Sequence, residues 1–193
     1  MKWVLAIVLL FLTQTGVLAA EQDRPLANVS IGDKWGYIDK NGEFVIQPRF
    51  DFTSHFHEGL AAVEIDGKWG YIDQTGEFVI QPRFDYARPF QEGRAAVEIG
   101  GKYGYINKTG KLIIKPQFDG TGGFREGLAY VRIGGKWGYI NRTGKFIIKP
   151  QFDNAINFKE GLARVLIGGK WGYIDKTGKI IIQPQFERAG IFR

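Results

Sequence analysis

Apolar and polar residues follow one pattern along this chain, and the pattern returns every 34 residues. A short segment that alternates apolar and polar side chains precedes an aromatic-glycine pair, and a turn-forming segment and a second apolar run follow it. The aromatic residue of the pair keeps the spacing of 34 without one insertion, at Trp35, Trp69, Tyr103, Trp137 and Trp171. We therefore divide the chain into five repeats, residues 26–59, 60–93, 94–127, 128–161 and 162–193.

Short strands, and not helices, are the elements that this pattern predicts. Each repeat places glycine at short intervals and concentrates Val, Ile, Phe, Tyr and Trp in runs of five or six residues, a composition that suits strands. In the second repeat the first strand spans residues 60–65, where Ala61, Val63 and Ile65 have counterparts of the same type in all five repeats. Because side chains alternate across a strand, we predict that this constant face is core. The variable face, with Leu60, Ala62 and Glu64, is predicted to be surface.

Two kinds of turn separate the predicted strands. Asp66-Gly67, replaced by Gly-Gly in three repeats, predicts a tight hairpin with positive φ angles before a second strand over residues 68–72. The segment from Asp73 to Gly76 predicts a type I turn that a left-handed glycine closes, with the Asp side chain accepting hydrogen bonds from turn amides. A third strand then ends before Pro82, because proline cannot donate to a sheet ladder. Residues 83–93 are predicted to form a helical or irregular connection.

These elements predict an all-β protein made of tandem 34-residue, three-stranded antiparallel meanders. The glycine after each repeat-defining aromatic belongs to the same structural motif: Gly36, Gly70, Gly104, Gly138 and Gly172. Two arrangements satisfy the pattern, an open twisted array in which each repeat packs on its neighbours and a closed propeller-like ring. We favour the open array, because a propeller blade usually has four strands.

The recurring string K-W-G-Y-I-D-x-T-G-K-x-I-I-x-P-Q-F-D, with its partner E-G-L-A-x-V-x-I, resembles the bacterial WG (KWG) repeat family. The resemblance covers residues 26–193, and Tyr103 is the one departure at the name-giving tryptophan. It implies a bacterial, often exported chain with no common activity, and so it favours export and binding without naming a ligand.

The first twenty residues have the order of a secretory signal peptide. A basic start at Lys2 precedes the apolar run 3–12 and a small-residue stretch that ends at Ala20. That run has ten residues, whereas a bilayer span needs about twenty. We therefore expect residues 1–20 to be removed, residues 21–25 to form a short leader, and the mature chain to lack a transmembrane span. The expected location is periplasmic or extracellular, and the absence of cysteine excludes disulfides.

The sequence predicts no enzyme, cofactor or metal site. Every polar residue that recurs does so with the period, whereas a catalytic site brings residues of distinct roles together once. The two histidines, His55 and His57, are expected on the surface. The recurring Glu-Gly pairs are interpreted as turns and the recurring aromatics as core. Glycan binding by exposed Trp and Tyr side chains is a weaker alternative.

Formal charge changes sign along the chain. It is −2 and −3 in the first two repeats and +3, +4 and +4 in the last three. We predict that repeats three to five present a basic face to an anionic envelope polymer, through Lys111, Lys115, Arg132, Lys145, Lys149 and Arg164. Nucleic acid is disfavoured as a partner after export. An unknown protein partner, head-to-tail self-association of oppositely charged ends and a functionally silent asymmetry remain the alternatives.

Overall fold

The computed structural model describes residues 25–192, in which every regular element is a β-strand. The signal peptide and most of the leader predicted above lie outside the described residues. The strands are β1 Ala27–Ile31, β2 Lys34–Ile38, β3 Phe44–Phe50, β4 Phe52–Thr53, β5 Ala61–Ile65, β6 Lys68–Ile72, β7 Phe78–Phe84, β8 Tyr86–Ala87, β9 Ala95–Ile99, β10 Lys102–Ile106, β11 Leu112–Phe118, β12 Gly120–Thr121, β13 Leu128–Ile133, β14 Lys136–Asn141, β15 Phe146–Phe152, β16 Asn154–Ala155, β17 Leu162–Ile167, β18 Lys170–Asp175 and β19 Ile180–Phe186.

The strands form five small antiparallel sheets, one for each repeat. The strand orders are β1-β2-β3, β4-β5-β6-β7, β8-β9-β10-β11, β12-β13-β14-β15 and β16-β17-β18-β19. Each of these sheets has two edges, and none closes on itself within the described chain. The predicted all-β fold of tandem antiparallel meanders is thereby confirmed.

The connection between repeats differs from the prediction, because it begins with a fourth strand. Thr53 in β4 pairs with Val63 in β5, so the end of the first repeat supplies the first strand of the second sheet. The two-residue strands β8, β12 and β16 do the same in the following sheets. Short strands of this kind lack their own hydrophobic periodicity, so the sequence pattern showed only an irregular segment.

The third strand of each repeat continues through its proline, contrary to prediction. Tyr105 of β10 pairs with Ile114 of β11, and Tyr103 of β10 pairs with Phe118 of β11. A step of two residues in β10 therefore matches a step of four residues in β11, which places a bulge around Pro116. Proline is accommodated there because a bulge on an edge strand leaves its nitrogen outside the ladder. The bulge presses against Gly104, where a Cβ atom would lie 2.5 Å from the Ile114 carbonyl oxygen.

Both predicted turns are confirmed. Asp66 and Gly67 have φ angles of 52° and 71°, as a two-residue hairpin with positive φ requires. In the second turn Gly76 has a φ of 90°, and the Asp73 Oδ1 accepts hydrogen bonds from the Thr75 and Glu77 amides at 2.9 and 3.1 Å.

The prediction for the two faces of the first strand is partly wrong. Ala61 and Val63 are fully buried as expected, but Ala62 and Leu60 are buried as well. At the end of the constant face, Ile65 is half-buried and its counterpart Ile99 is exposed. Both faces near the start of the strand are therefore covered, which an alternating pattern in a single strand does not show.

The chain divides into two compact bodies, with Pro82 as the last residue of the first and Arg83 as the first of the second. The core of the first body joins residues of repeats one and two, including Tyr37, Phe50 and Ile72. In the described part of the second body, one such cluster is shared by repeats three and four and another by repeats four and five. Within each body, consecutive sheets thus bury apolar residues against each other, as expected of a repeat array. Among the described residues no helix has the length and apolarity to cross a membrane.

Candidate functional site

The tyrosine of the K-W-G-Y-I element is buried more deeply than its tryptophan. Tyr139 is fully buried, and its hydroxyl donates a 2.8 Å hydrogen bond to the Ile156 carbonyl oxygen in the connection that follows. Its ring packs on Phe158 with 4.9 Å between centroids. Burial raises the pKa of this hydroxyl. The same bond joins Tyr37, Tyr105 and Tyr173 to their own connections, which fixes the connecting segments on the sheets.

The lysine of the K-W-G element forms an ion pair, an outcome that the sequence did not predict. Lys102 Nζ lies 2.5 Å from Asp119 Oδ1, and Lys136 Nζ lies 2.6 Å from Asp153 Oδ1. The lysine holds the pKa of each of these carboxyl groups below its usual range. Asp153 also accepts a 2.8 Å hydrogen bond from the Gly168 amide in the next hairpin. The pair therefore ties one sheet to the next and its lysine charge is neutralised.

Two glutamates of the Glu-Gly turns, Glu92 and Glu126, bond across to a following repeat. Glu126 has a φ of 51°, which confirms its predicted place in a turn. Its carboxylate accepts a 3.1 Å hydrogen bond from the Gly161 amide and lies 2.8 Å from Lys176 Nζ. Glu92 bonds to the Gly127 amide and the Arg142 guanidinium in the same way, at 3.0 and 2.6 Å. A positive φ is strained for a residue with a side chain, and these contacts offset the strain.

Four lysines of the predicted basic face are exposed on edge strands. Lys111 immediately precedes β11 and Lys115 lies within it, and the corresponding residues of the next sheet are Lys145 and Lys149. At the rise of an extended strand, four residues separate the two lysines of each pair by about 13 Å. None of the four forms an ion pair within residues 25–192.

The two arginines of the same prediction have other contacts. Arg132 is exposed, but its guanidinium lies over the Trp137 ring at 5.6 Å and donates to the Asp119 carbonyl oxygen. Arg164 is half-buried, lies 5.3 Å from the Trp171 ring centroid and donates to the Ala189 carbonyl oxygen. The structure does not join these arginines to the four lysines in one cluster. Each arginine instead contacts a tryptophan ring and a backbone carbonyl oxygen.

Most of the repeat-defining aromatics are only partly buried, and the two histidines are exposed. Of the repeat-defining aromatics, Trp69 is buried and Trp35, Tyr103, Trp137 and Trp171 are half-buried, so the predicted core position is reached only in part. Tyr130 covers Trp137 with 5.3 Å between ring centroids. His55 and His57 are both exposed, as predicted.

A cavity of about 550 Å³ opens within the second body, among the connections of successive repeats. Its lining combines charged, amide and apolar groups: Glu92, Arg125, Glu126, Ile156, Asn157, Phe158, Lys159 and Ile191. Sequence reasoning missed this cavity, because its residues lie in the connecting segments that carried no strand pattern. A signal was nevertheless present. Arg125 and Lys159 stand directly before Glu-Gly pairs, where the first two repeats have His57 and Gln91.

Comparison with protein families gives a match to the model described as WG containing repeat. It matches the chain five times, at residues 35–69, 69–103, 103–137, 137–171 and 171–193. The curated proteins gave no match.

Among solved structures, the chain is similar to Hsv2p of Kluyveromyces lactis, with a TM-score of 0.56 and 12% sequence identity over 83% of this chain and 60% of that one. A form of Hsv2 whose loop 6CD is replaced by a Gly-Ser linker gives a TM-score of 0.53 and 10% identity over 82% and 62%. The chain thus spans about 60% of the length of these structures. At this identity the similarity concerns the fold alone.

Proposed function

Because the chain belongs to the family of WG containing repeat proteins, we propose that it is an exported, non-enzymatic binding protein of the bacterial cell envelope. Its ligand is an anionic polymer, which it holds through the exposed lysines of repeats three and four. Export rests on the order of charge and hydropathy in residues 1–20.

The observation that carries this proposal is the difference between two sets of lysines. Lys102 and Lys136 are neutralised by Asp119 and Asp153. The four exposed lysines, Lys111, Lys115, Lys145 and Lys149, have no such carboxylate among the described residues. Unpaired cations that recur on successive edge strands suit a polymer with repeated negative charge, since each repeat contributes an equivalent contact.

The test uses poly(glycerol phosphate) as the probe and the mature chain, residues 21–193, as the protein. Binding is measured by fluorescence titration at two salt concentrations. Counterion release at four phosphate contacts predicts a loss of affinity of at least roughly tenfold between about 50 and 200 mM salt. The variant in which Lys111, Lys115, Lys145 and Lys149 are all changed to Glu is expected to lose binding.

A matched pair of single variants controls for net charge. Lys115→Glu and Lys40→Glu change the charge equally at exposed lysines, but Lys40 lies in an acidic repeat. Only Lys115→Glu is expected to weaken binding. Equal effects of the two variants, or full binding by the fourfold variant, would contradict the proposal.

Self-association is a second candidate, which one observation favours. Phe186 is 40% exposed, whereas its counterparts Phe50, Phe84, Phe118 and Phe152 are at most 3% exposed. The last described sheet therefore leaves uncovered an apolar face of the kind that other repeats bury, and repeat one carries the opposite charge. Sedimentation velocity over a hundredfold concentration range tests this candidate, and a constant monomer mass would exclude it.

A further inference from the structure

The cavity of the second body has the size of a small-ligand site. Its volume of about 550 Å³ lies within the range of pockets that enclose small molecules. Three of its lining residues are apolar, Ile156, Phe158 and Ile191. Apolar side chains of this kind give a ligand a place to bury a hydrocarbon group, which contributes binding free energy in proportion to the area removed from water.

The two carboxylates of the lining are already neutralised. Glu126 lies 2.8 Å from Lys176 Nζ, and Glu92 lies 2.6 Å from an Arg142 guanidinium nitrogen. Each also accepts a backbone amide hydrogen bond, as described above. The lysine hydrogen bond to Glu126 holds the pKa of that carboxyl below its usual range, so the group stays ionised at neutral pH.

The two cations of the lining, by contrast, have no carboxylate of their own. Arg125 and Lys159 are exposed, and neither forms an ion pair within the part of the chain that the structure describes. Once the neutralised glutamates are set aside, the charge that the cavity offers to a ligand is positive. A carboxylate is the matching group, because charge-assisted hydrogen bonds from Arg and Lys to an ionised oxygen are the stronger kind.

A third group of the lining needs a donor. The Asn157 Oδ1 atom is buried and has no hydrogen-bond partner among residues 25–192. An unsatisfied buried acceptor is costly, and a ligand that donates an N–H or O–H to it removes that cost. Asn157 is a lining residue of the same cavity as the two cations and the three apolar side chains.

From these features we infer that the cavity binds a small carboxylate that also carries an apolar group and one hydrogen-bond donor. The carboxylate is held by Arg125 and Lys159, the donor faces Asn157, and the apolar group packs on Ile156 and Ile191. N-acylated apolar amino acids and the carboxyl-terminal end of a peptide share this chemistry. The site is distinct from the lysines of the edge strands, because none of its lining residues belongs to that set.

The decisive probe is N-acetyl-leucine, compared with N-acetyl-leucine amide. The two molecules differ only in the carboxylate, so the acid is expected to bind to the mature chain and the amide at least about tenfold more weakly. Isothermal titration calorimetry measures both. The peptide acetyl-Ala-Ala-Leu with a free carboxyl terminus distinguishes the two sources of ligand, since tighter binding of the peptide than of N-acetyl-leucine assigns the site to peptide ends.

Three variants connect binding to the named residues. Arg125→Gln and Lys159→Gln are each expected to lower the affinity for N-acetyl-leucine by about tenfold, because each removes one charge-assisted contact. Asn157→Leu is expected to lower it by removing the acceptor. The unfolding midpoint of each variant shows whether it is folded, and Lys149→Gln, an exposed lysine outside the cavity, is expected to bind the probe as the wild type does.

The binding measurements either support or overturn the proposed site. Loss of binding in the folded cavity variants together with normal binding by Lys149→Gln supports the site. Equal binding of acid and amide, or no binding of either at about 10 mM, overturns it. The polymer titration stays independent, because Lys115→Glu is expected to weaken polymer binding without changing the affinity for N-acetyl-leucine.

Discussion

Gly104 illustrates why the second residue of the aromatic-glycine pair recurs in every repeat. The bulge around Pro116 brings the backbone of β11 against β10, and a Cβ atom at position 104 would lie 2.5 Å from the Ile114 carbonyl oxygen and 2.8 Å from the Pro116 nitrogen. Both atoms belong to the backbone, so neither moves away at low cost. The glycine and the proline are therefore two parts of one local structure, although they lie twelve positions apart in the sequence.

The substitution Gly104→Ala is expected to lower the free energy of unfolding by about 2 kcal/mol or more, as overpacking against a fixed backbone does. Gly190→Ala is the matched control, because a Cβ atom there meets nothing within 4 Å. It is expected to change stability by less than about 0.5 kcal/mol. Urea denaturation followed by circular dichroism measures both. Equal stability of the two variants would show that the close approach at Gly104 relaxes freely.

At the scale of the elements, the Glu-Gly turns join neighbouring repeats as well as neighbouring strands. Glu126 closes the turn before β13, and its carboxylate reaches the turn before β17 and Lys176 after β18. Glu160 occupies the equivalent turn with the same positive φ, but its side chain is exposed and forms no ion pair in the described range. Both residues adopt the strained turn conformation, but of the two only Glu126 makes the contact between repeats. A comparison of the two therefore isolates the contribution of that contact to stability.

The Glu126 contact predicts a pH-dependent stability. The hydrogen bond from Lys176 lowers the pKa of Glu126 in the folded state, so its stabilisation is present above the unfolded pKa of about 4.3 and is lost as pH falls through the folded value. Glu126→Gln is expected to cost about 1 kcal/mol at pH 7, and the difference from wild type should disappear near pH 2.5. Glu160→Gln should match wild type at both pH values. Urea unfolding midpoints over this pH range measure the difference in stability between the Glu126→Gln variant and the wild type. A difference that stays constant with pH would refute the electrostatic explanation.

For the whole molecule, stability comes from the burial of apolar side chains between repeats. The formal charge, by contrast, changes sign along the sequence. The three clusters seen among residues 25–192 each take residues from two consecutive repeats. The same side chain therefore has a different environment according to whether another described sheet covers it. Much of the charge change lies on exposed residues such as Lys111 and Lys115, so it alters the surface while the repeated packing stays the same.

Equivalent phenylalanines test this dependence on neighbours. Phe152 is 3% exposed and belongs to the cluster of repeats four and five, whereas Phe186 is 40% exposed. Phe152→Ala is expected to cost about 3 to 5 kcal/mol, and Phe186→Ala less than half of that, because the exposed ring loses less buried area. Guanidinium denaturation compares them. Similar losses for both would indicate that residues 170–186 form a core without a covering neighbour.

The sequence by itself determined the period, the strand-forming segments, both turns and the charge change, because each depends on residues close together in the chain. Asp73 and Gly76 specify their turn locally, and Val63 marks a buried face by simple alternation. The family was also recognisable from the recurring motif. These features need no knowledge of how one repeat packs on another.

Only the tertiary structure decided the features that depend on contacts between repeats. It showed that β4 pairs with β5, that Pro116 lies in a bulge against Gly104, and that Glu126 bonds to the following repeat. The cavity belongs to this group too, since its lining comes from four successive repeats. A periodic sequence specifies each repeat alike, whereas the pairing of one repeat with the next depends on groups such as the Glu126 carboxylate and the Gly161 amide, which lie 35 residues apart in the chain and come together only on folding.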